Sequence, residues 1–277
     1  MGILAGNHNL IAPGSDSSML VTGCEDGSVR VWMKDSLGSG KLTAITDFSA
    51  GCPCHALAFH TADILVGAYA DGYLRIFHLG EVKKVIAKVP VCDEALHCID
   101  YGHNGIIAGS EEGGVYVISL VSSMGADASK AISSATVVKA ASGPEDGRGV
   151  TCIQARSKTR HFLSAFDNGE IWVWKEHDVA SLAPVHEDVG RGDIGEIICT
   201  WTIRSSSETS ARYASRQPPI TGAFLEGNRI CGSAGTTIGI YDFERQLVLQ
   251  SVSVDCLGSY VTQMVRRKVC QETFKVN

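Results

Sequence analysis

Met19-Leu20-Val21-Thr22-Gly23-Cys24-Glu25-Asp26-Gly27-Ser28-Val29-Arg30-Val31-Trp32 is the stretch from which the fold follows. An apolar run leads into an acidic turn with glycine, and a second run alternates apolar and polar residues up to an aromatic. Period-two alternation on both sides of an Asp-Gly turn is a strong short-range hairpin signal, because glycine reaches the backbone angles that a tight turn demands. One hairpin is marginal alone, so the pattern matters only if it recurs.

It recurs four times. The second copy runs from Ile64-Leu65-Val66-Gly67-Ala68 through Asp71-Gly72 to Phe77, and the third from Ile106 through Glu112-Gly113 to Ile118. The fourth runs from Phe162 through Asn168-Gly169 to Trp174, and the fifth and weakest from Ile230 to Tyr241. A short apolar run precedes each of the last four: Ala56–Phe59, Leu96–Ile99, Val150–Ile153 and Ile220–Phe224. Further runs at Lys84–Val89, Ala135–Lys139, Ile197–Ile203 and Gln246–Ser251 bring the unit to four strands. Four antiparallel strands per repeat describe a propeller blade.

The aromatic or apolar closing residues Trp32, Phe77, Ile118, Trp174 and Tyr241 are spaced by 45, 41, 56 and 67 positions. The first two spacings fit a blade of roughly 40 to 45 residues. The longer ones carry insertions, placed at 122–149, 176–195 and 204–219 by their Gly/Ser-rich or polar composition. Recognisable blades are thus expected at about 9–33, 53–78, 95–120, 149–175 and 219–242 of a single domain.

These residues resemble the WD-repeat family, whose units close a strand with Trp-Asp or a similar dipeptide after an Asp-containing turn. Only Tyr241-Asp242 retains the terminal aspartate, and the family's Gly-His pair is missing before the third strand. The resemblance implies an all-β propeller in which the turn acids bind less of the blade than in the family, leaving packing to do more. Five repeats leave three arrangements open: a ring of five or six blades, a longer ring with diverged blades, or an incomplete ring finished by a partner. The first copy has no obvious outer strand before it, so that strand is expected from the C-terminal region 246–277, with Leu247–Val254 or Ser259–Val265 closing the ring.

The resemblance further implies a noncatalytic scaffold or adaptor in a larger assembly, with Glu25, Tyr69, Glu111 and Phe166 gathered near one rim for a protein partner. An RNA-associated subunit is the alternative, carried by Arg156, Lys158 and Arg160 and by the basic triplet Arg266, Arg267 and Lys268. An enzyme with a central-channel site ranks third.

Composition bears on these readings. The chain has 277 residues, 44% of them hydrophobic, which suffices for a sizeable core. Its 30 glycines against 7 prolines suit many tight turns, and a net charge of -6 gives no general field for phosphate backbones or anionic lipid. No stretch approaches the ~20 apolar residues of a membrane span. A soluble, intracellular location is the expectation, the cytoplasm foremost and the nucleus open, with the ten scattered cysteines reduced.

Chemical motifs add little. Cys52, Cys54, His55, Cys92, His97 and Cys98 are residue types that zinc favours, but their spacing is not that of a finger, and Cys98 and Cys152 fall at the same repeat position, as core residues would. Gly232–Thr237 lacks the lysine of a phosphate loop and sits in a hairpin. The acid pairs Glu25-Asp26 and Glu111-Glu112 occupy repeated turns. No catalytic, cofactor or metal residue is assigned.

Overall fold

The computed structural model describes residues 8–13, 19–34, 42–61, 63–79, 84–122, 132–144, 149–156, 159–177, 195–203 and 220–253. They form five four-stranded antiparallel sheets, each built from consecutive strands. Blade one comprises β1 (His8–Pro13), β2 (Met19–Cys24), β3 (Ser28–Lys34) and β4 (Leu42–Ser49). Blade two has β5 (Cys54–Phe59), β6 (Ile64–Tyr69), β7 (Tyr73–His78) and β8 (Lys84–Pro90). Blade three has β9 (Leu96–Tyr101), β10 (Ile106–Ser110), β11 (Val115–Ser122) and β12 (Ile132–Ala141). Blade four has β13 (Val150–Arg156), β14 (His161–Phe166), β15 (Glu170–Glu176) and β16 (Gly195–Thr202). Blade five has β17 (Ile220–Glu226), β18 (Arg229–Ala234), β19 (Thr237–Asp242) and β20 (Leu247–Ser253).

The hairpins at the centre of each blade are those of the repeat, and the flanking strands of blades two to five lie where the apolar runs put them. Two expectations change. Blade one is complete from its own consecutive strands, because β4 pairs along β3 from Ser28–Ser49 to Lys34–Leu42 and leaves no place there for a C-terminal strand. β20 pairs with β19 inside blade five and does not close the ring. β12 covers the outer-strand run expected at Ala135–Lys139 and pairs with β11 along most of its length. Ser259–Val265 lies outside the described residues, as do 204–219.

Successive blades pack through their first strands: β1 on β5, β5 on β9, β9 on β13 and β13 on β17. Apolar residues from neighbouring blades fill each joint, as where Ile107 and Val115 of blade three meet Val150, Ile153 and Phe166 of blade four. Side chains also lace the joints. Asp100 accepts a hydrogen bond from the Ala155 N–H at 2.8 Å, and Gln154 accepts one from the Leu225 N–H. Asp100 and Gln154 are each the fifth residue of their strand, so one device serves two joints. The Cys98 thiol donates to the Val150 carbonyl and the Cys152 thiol to the Ala223 carbonyl, each reaching the next blade.

Two closing tryptophans show how local sequence choices agree. Trp32 Nε1 donates to Thr22 Oγ1 and Trp174 Nε1 to Ser164 Oγ, each at 2.9 Å. The hydroxyl stands two residues beyond the closing residue's cross-strand partner. Where the closing residue lacks an indole, as at Phe77, Ile118 and Tyr241, that position is Gly67, Ala108 and Gly232. A buried donor needs its acceptor, so Ser164→Ala is expected to cost about 1–3 kcal/mol in urea unfolding, followed through tryptophan fluorescence. Blade three tolerates Ala108 at this position because Ile118 has no donor to strand.

Candidate functional site at the upper rim

The turns inside the hairpins and the connections between blades lie on one rim, here termed upper. Their backbones are joined on a repeating plan. Ala50, Val91 and Ile203, just beyond the outer strands, donate their N–H groups to the carbonyls of the turn glycines Gly27, Gly72 and Gly169. Ala70, Glu111 and Asp167, at the start of the next hairpin's turn, donate to Pro53, Ala95 and Gly149, just before the inner strands. The turns of blades one to four are thereby tied to the connections around them, and this part of the rim is a fixed frame. The glycines make this approach possible: Gly72 has φ +75°, and a Cβ there would stand 1.9 Å from the Cys92 carbonyl oxygen.

Immediately below the rim, each inner strand carries a register irregularity. The pairing skips between His8 and Leu10, Cys54 and Ala56, Val150 and Cys152, and Ile220 and Gly222; in blade three it skips between Leu96 and Cys98 opposite Ser110 and Gly109. The extra residue is Asn9, His55, His97, Thr151 or Thr221, a polar residue every time. A bulge leaves its extra residue outside the ladder and re-aims the chain there. His55 and His97 meet edge to face with ring centroids 5.1 Å apart, and His55 Nδ1 lies 3.1 Å from the Leu96 carbonyl oxygen. Burial and the neighbouring His55 lower the pKa of His97, while Glu111 opposes them. His97 thus favours the neutral form, suited to hydrogen bonding and not to fixed charge.

Of the residues expected at this rim, Glu25 and Glu111 are exposed on its turns. Tyr69 and Phe166 are each 0% exposed, which corrects the expectation that they face a partner. Each is the last residue before its turn and points into the core: Tyr69 lies beneath the Arg75 guanidinium, 4.2 Å from ring centroid to Cζ, and Phe166 packs on Trp172 at 4.7 Å. Arg156 and Arg160 are half-buried at the opposite rim, and Lys158, Arg266, Arg267 and Lys268 lie outside the described residues. Phe77, Ile118, Trp174 and Tyr241 are buried as blade-closing residues, with Trp32 half-buried.

No cluster of three or more side chains able to hold a metal ion occurs among the described residues. Burial pushes the Cys54 thiol up to about 12, raises Cys98 strongly and raises Cys152 as well. Such thiols stay protonated and act as packing groups that donate weak hydrogen bonds.

Two features left no trace in the sequence pattern. The bulge ring is one. The other is a cleft of about 370 Å³ at the lower rim between blades two and three, where His60 stacks on Tyr101 at 4.9 Å beside His103 and Asn104. The buried Glu176 carboxylate accepts the His103 and Asn104 N–H groups and holds this turn in place. Among the described residues, neither place pairs a nucleophile with a base within hydrogen-bond reach.

Residues 11–33, which span most of blade one's first three strands, match the WD domain, G-beta repeat family. No curated protein matches the chain. Among solved structures, the computationally designed Ika8 protein is similar in fold, with a TM-score of 0.60 at 17% identity over 93% of this chain. The chain spans 64% of the length of that protein. The family match falls on the first repeat, and the five sheets of one four-stranded build are consistent with a WD-repeat propeller.

Proposed function

We propose that the chain is a noncatalytic scaffold or adaptor, a subunit of a larger multiprotein assembly, that engages a protein partner through its upper rim. WD repeats generally mediate protein–protein interaction. The observation that carries the reading to this surface is the backbone lacing of the rim, since a surface fixed in advance loses little entropy when a partner docks. Exposed acids crown it, among them Glu25, Asp26, Asp93, Glu111 and Glu112, which suits a partner offering lysine or arginine. Among the described residues no helix is long and apolar enough to cross a membrane. The eight cysteines described are all free thiols, which supports a reducing compartment, cytoplasmic or nuclear.

The test is affinity isolation of the tagged chain under gentle lysis at low and moderate salt, beside a variant carrying Glu25→Lys and Glu111→Lys. Salt-resistant, stoichiometric proteins are expected with the parent. The charge-reversed variant is expected to bind them with an association rate about tenfold lower at low salt, because rim charges act mainly on encounter. Recovery that depends on RNA would replace this reading with the ribonucleoprotein one. Recovery of nothing would return attention to a channel enzyme.

A further inference from the structure

Blade five has two faces of different fate. Leu225, Ile230 and Tyr241 share one face and pack on blade four, where Tyr241 stacks on Trp201 at 5.1 Å. The register puts Phe224, Cys231 and Ile240 together on the opposite face, with Ile238 and Val252 beside them. No described residue of another blade packs there as blade five packs on blade four. β20, at the outer edge, is exposed at every residue on both faces, whereas β8 and β16 are partly covered. On the face of Cys231, Leu247 is 44% and Val252 45% exposed. A cleft of about 320 Å³ lies on this side, lined by Phe224, Asn228, Arg229, Cys231 and Ile240.

The occupant is written in the repeat. Because of the bulge, the first and fourth residues of an inner strand both turn to the preceding blade: Cys54 and Leu57 flank Gly23, Leu96 and Ile99 share a core with Val66, Val150 and Ile153 with Ile107, and Ile220 and Ala223 with Leu163. The signature is therefore two apolar residues three apart with a polar residue directly after the first. Val150-Thr151-Cys152-Ile153 and Ile220-Thr221-Gly222-Ala223 have this form, and so does Val261-Thr262-Gln263-Met264. Residues 50–53, 91–95, 142–149 and 203–219 connect one blade to the next, and residues 254–260 are within that range of length.

We propose that Val261–Val265 is the inner strand of a further blade and seats on the free face of blade five, with Val261 and Met264 turned toward Cys231 and its neighbours. This stands independently of the scaffold reading. Thr262 takes the bulge position and joins His55, His97, Thr151 and Thr221 below the upper rim. Gln263 takes the third position, which faces onward in blades three and four. Arg266, Arg267 and Lys268 follow the strand where other blades make their lower-rim turns, which puts the basic triplet on the side of Arg160 and away from the acidic rim.

The repeated register supplies a specific test. The fourth residue of each inner strand shares a core with the residue equivalent to Cys231: Leu57 with Val21, Ile99 with Val66, Ile153 with Ile107, Ala223 with Leu163. The full-length Met264→Cys chain, treated with oxidised glutathione, is expected to form an intramolecular disulfide between Cys231 and the introduced thiol. Mass spectrometry of unreduced peptides detects this link, and Cys231→Ser abolishes it. In the parent, Cys231 is expected to react with a maleimide about tenfold more slowly than in a Val261→Asp, Met264→Asp chain, since covered thiols react only on local opening. The same disulfide formed between two chains would make a second copy the occupant and overturn the proposal. So would equal labelling of Cys231 in both chains together with no cross-link.

Discussion

Replacing Asp71 with alanine is expected to destabilise the chain by about 3 kcal/mol, because it strands a buried cation. Arg75 donates to both Asp71 oxygens, at 2.9 and 2.8 Å, and lies over Tyr69 with its side chain only 9% exposed. Lys88 adds a further contact at 3.5 Å. The equivalent pair in blade one offers a control. Arg30 and Asp26 are 3.9 Å apart with Asp26 64% exposed, so losing that ion pair should cost below about 1 kcal/mol. Urea midpoints of Asp71→Ala and Asp26→Ala chains measure the contrast, and equal shifts would remove the buried-charge argument.

The same pair sets an acid response. Hydrogen bonds from Arg75, outweighing the effect of burial, hold the Asp71 carboxyl down to about 2. An unfolded aspartate titrates at about 3.9, so the folded state's advantage is complete above that pH and is lost as pH falls through the folded value. The stability gap between parent and Asp71→Ala chains should therefore narrow between about pH 4 and about pH 2, and stay constant from about pH 5 to about pH 7.

Gly72→Ala is expected to be at least as damaging, at about 3 kcal/mol or more. A left-handed backbone costs an alanine roughly 1–2 kcal/mol, and the added carbon collides with the Cys92 carbonyl, which cannot retreat as a side-chain tip could. Yielding would also disturb the Val91 N–H bond to Gly72. Gly51→Ala is the matched comparison, since its φ is +71° and nothing lies within 4 Å of the added carbon. It should show the backbone cost alone. If thermal unfolding shifts both chains equally, the close approach at the rim has no energetic weight.

How much of this could be read beforehand depends on the range of the interactions. The hairpins were legible because an acid-glycine turn fixes pairing within a dozen residues, and the outer strands β8, β12, β16 and β20 were visible as apolar-rich runs. β4 escaped because Leu42-Thr43-Ala44-Ile45-Thr46-Asp47-Phe48-Ser49 is interrupted by polar residues and its pairing, not its composition, makes it a strand. The burial of Tyr69 and Phe166 depends on which way the last residue of a strand turns, and that is set by the neighbouring blade. The bulges are invisible in any single copy, since register is a relation between two strands.

Those bulges also separate what the chain must keep from what it can change. Of the described side chains, His55, His97 and Thr151 differ in size, charge and hydrogen-bonding capacity, yet the strands that carry them pair in the same register. The positions are tolerant because an unpaired residue beside a ladder has no cross-strand mate to match. A propeller of this design can therefore be given new chemistry at its mouth one residue at a time, like fittings exchanged on an unaltered mount. Duplicated copies of the chain could diverge in what they hold while remaining the same object to their own cores.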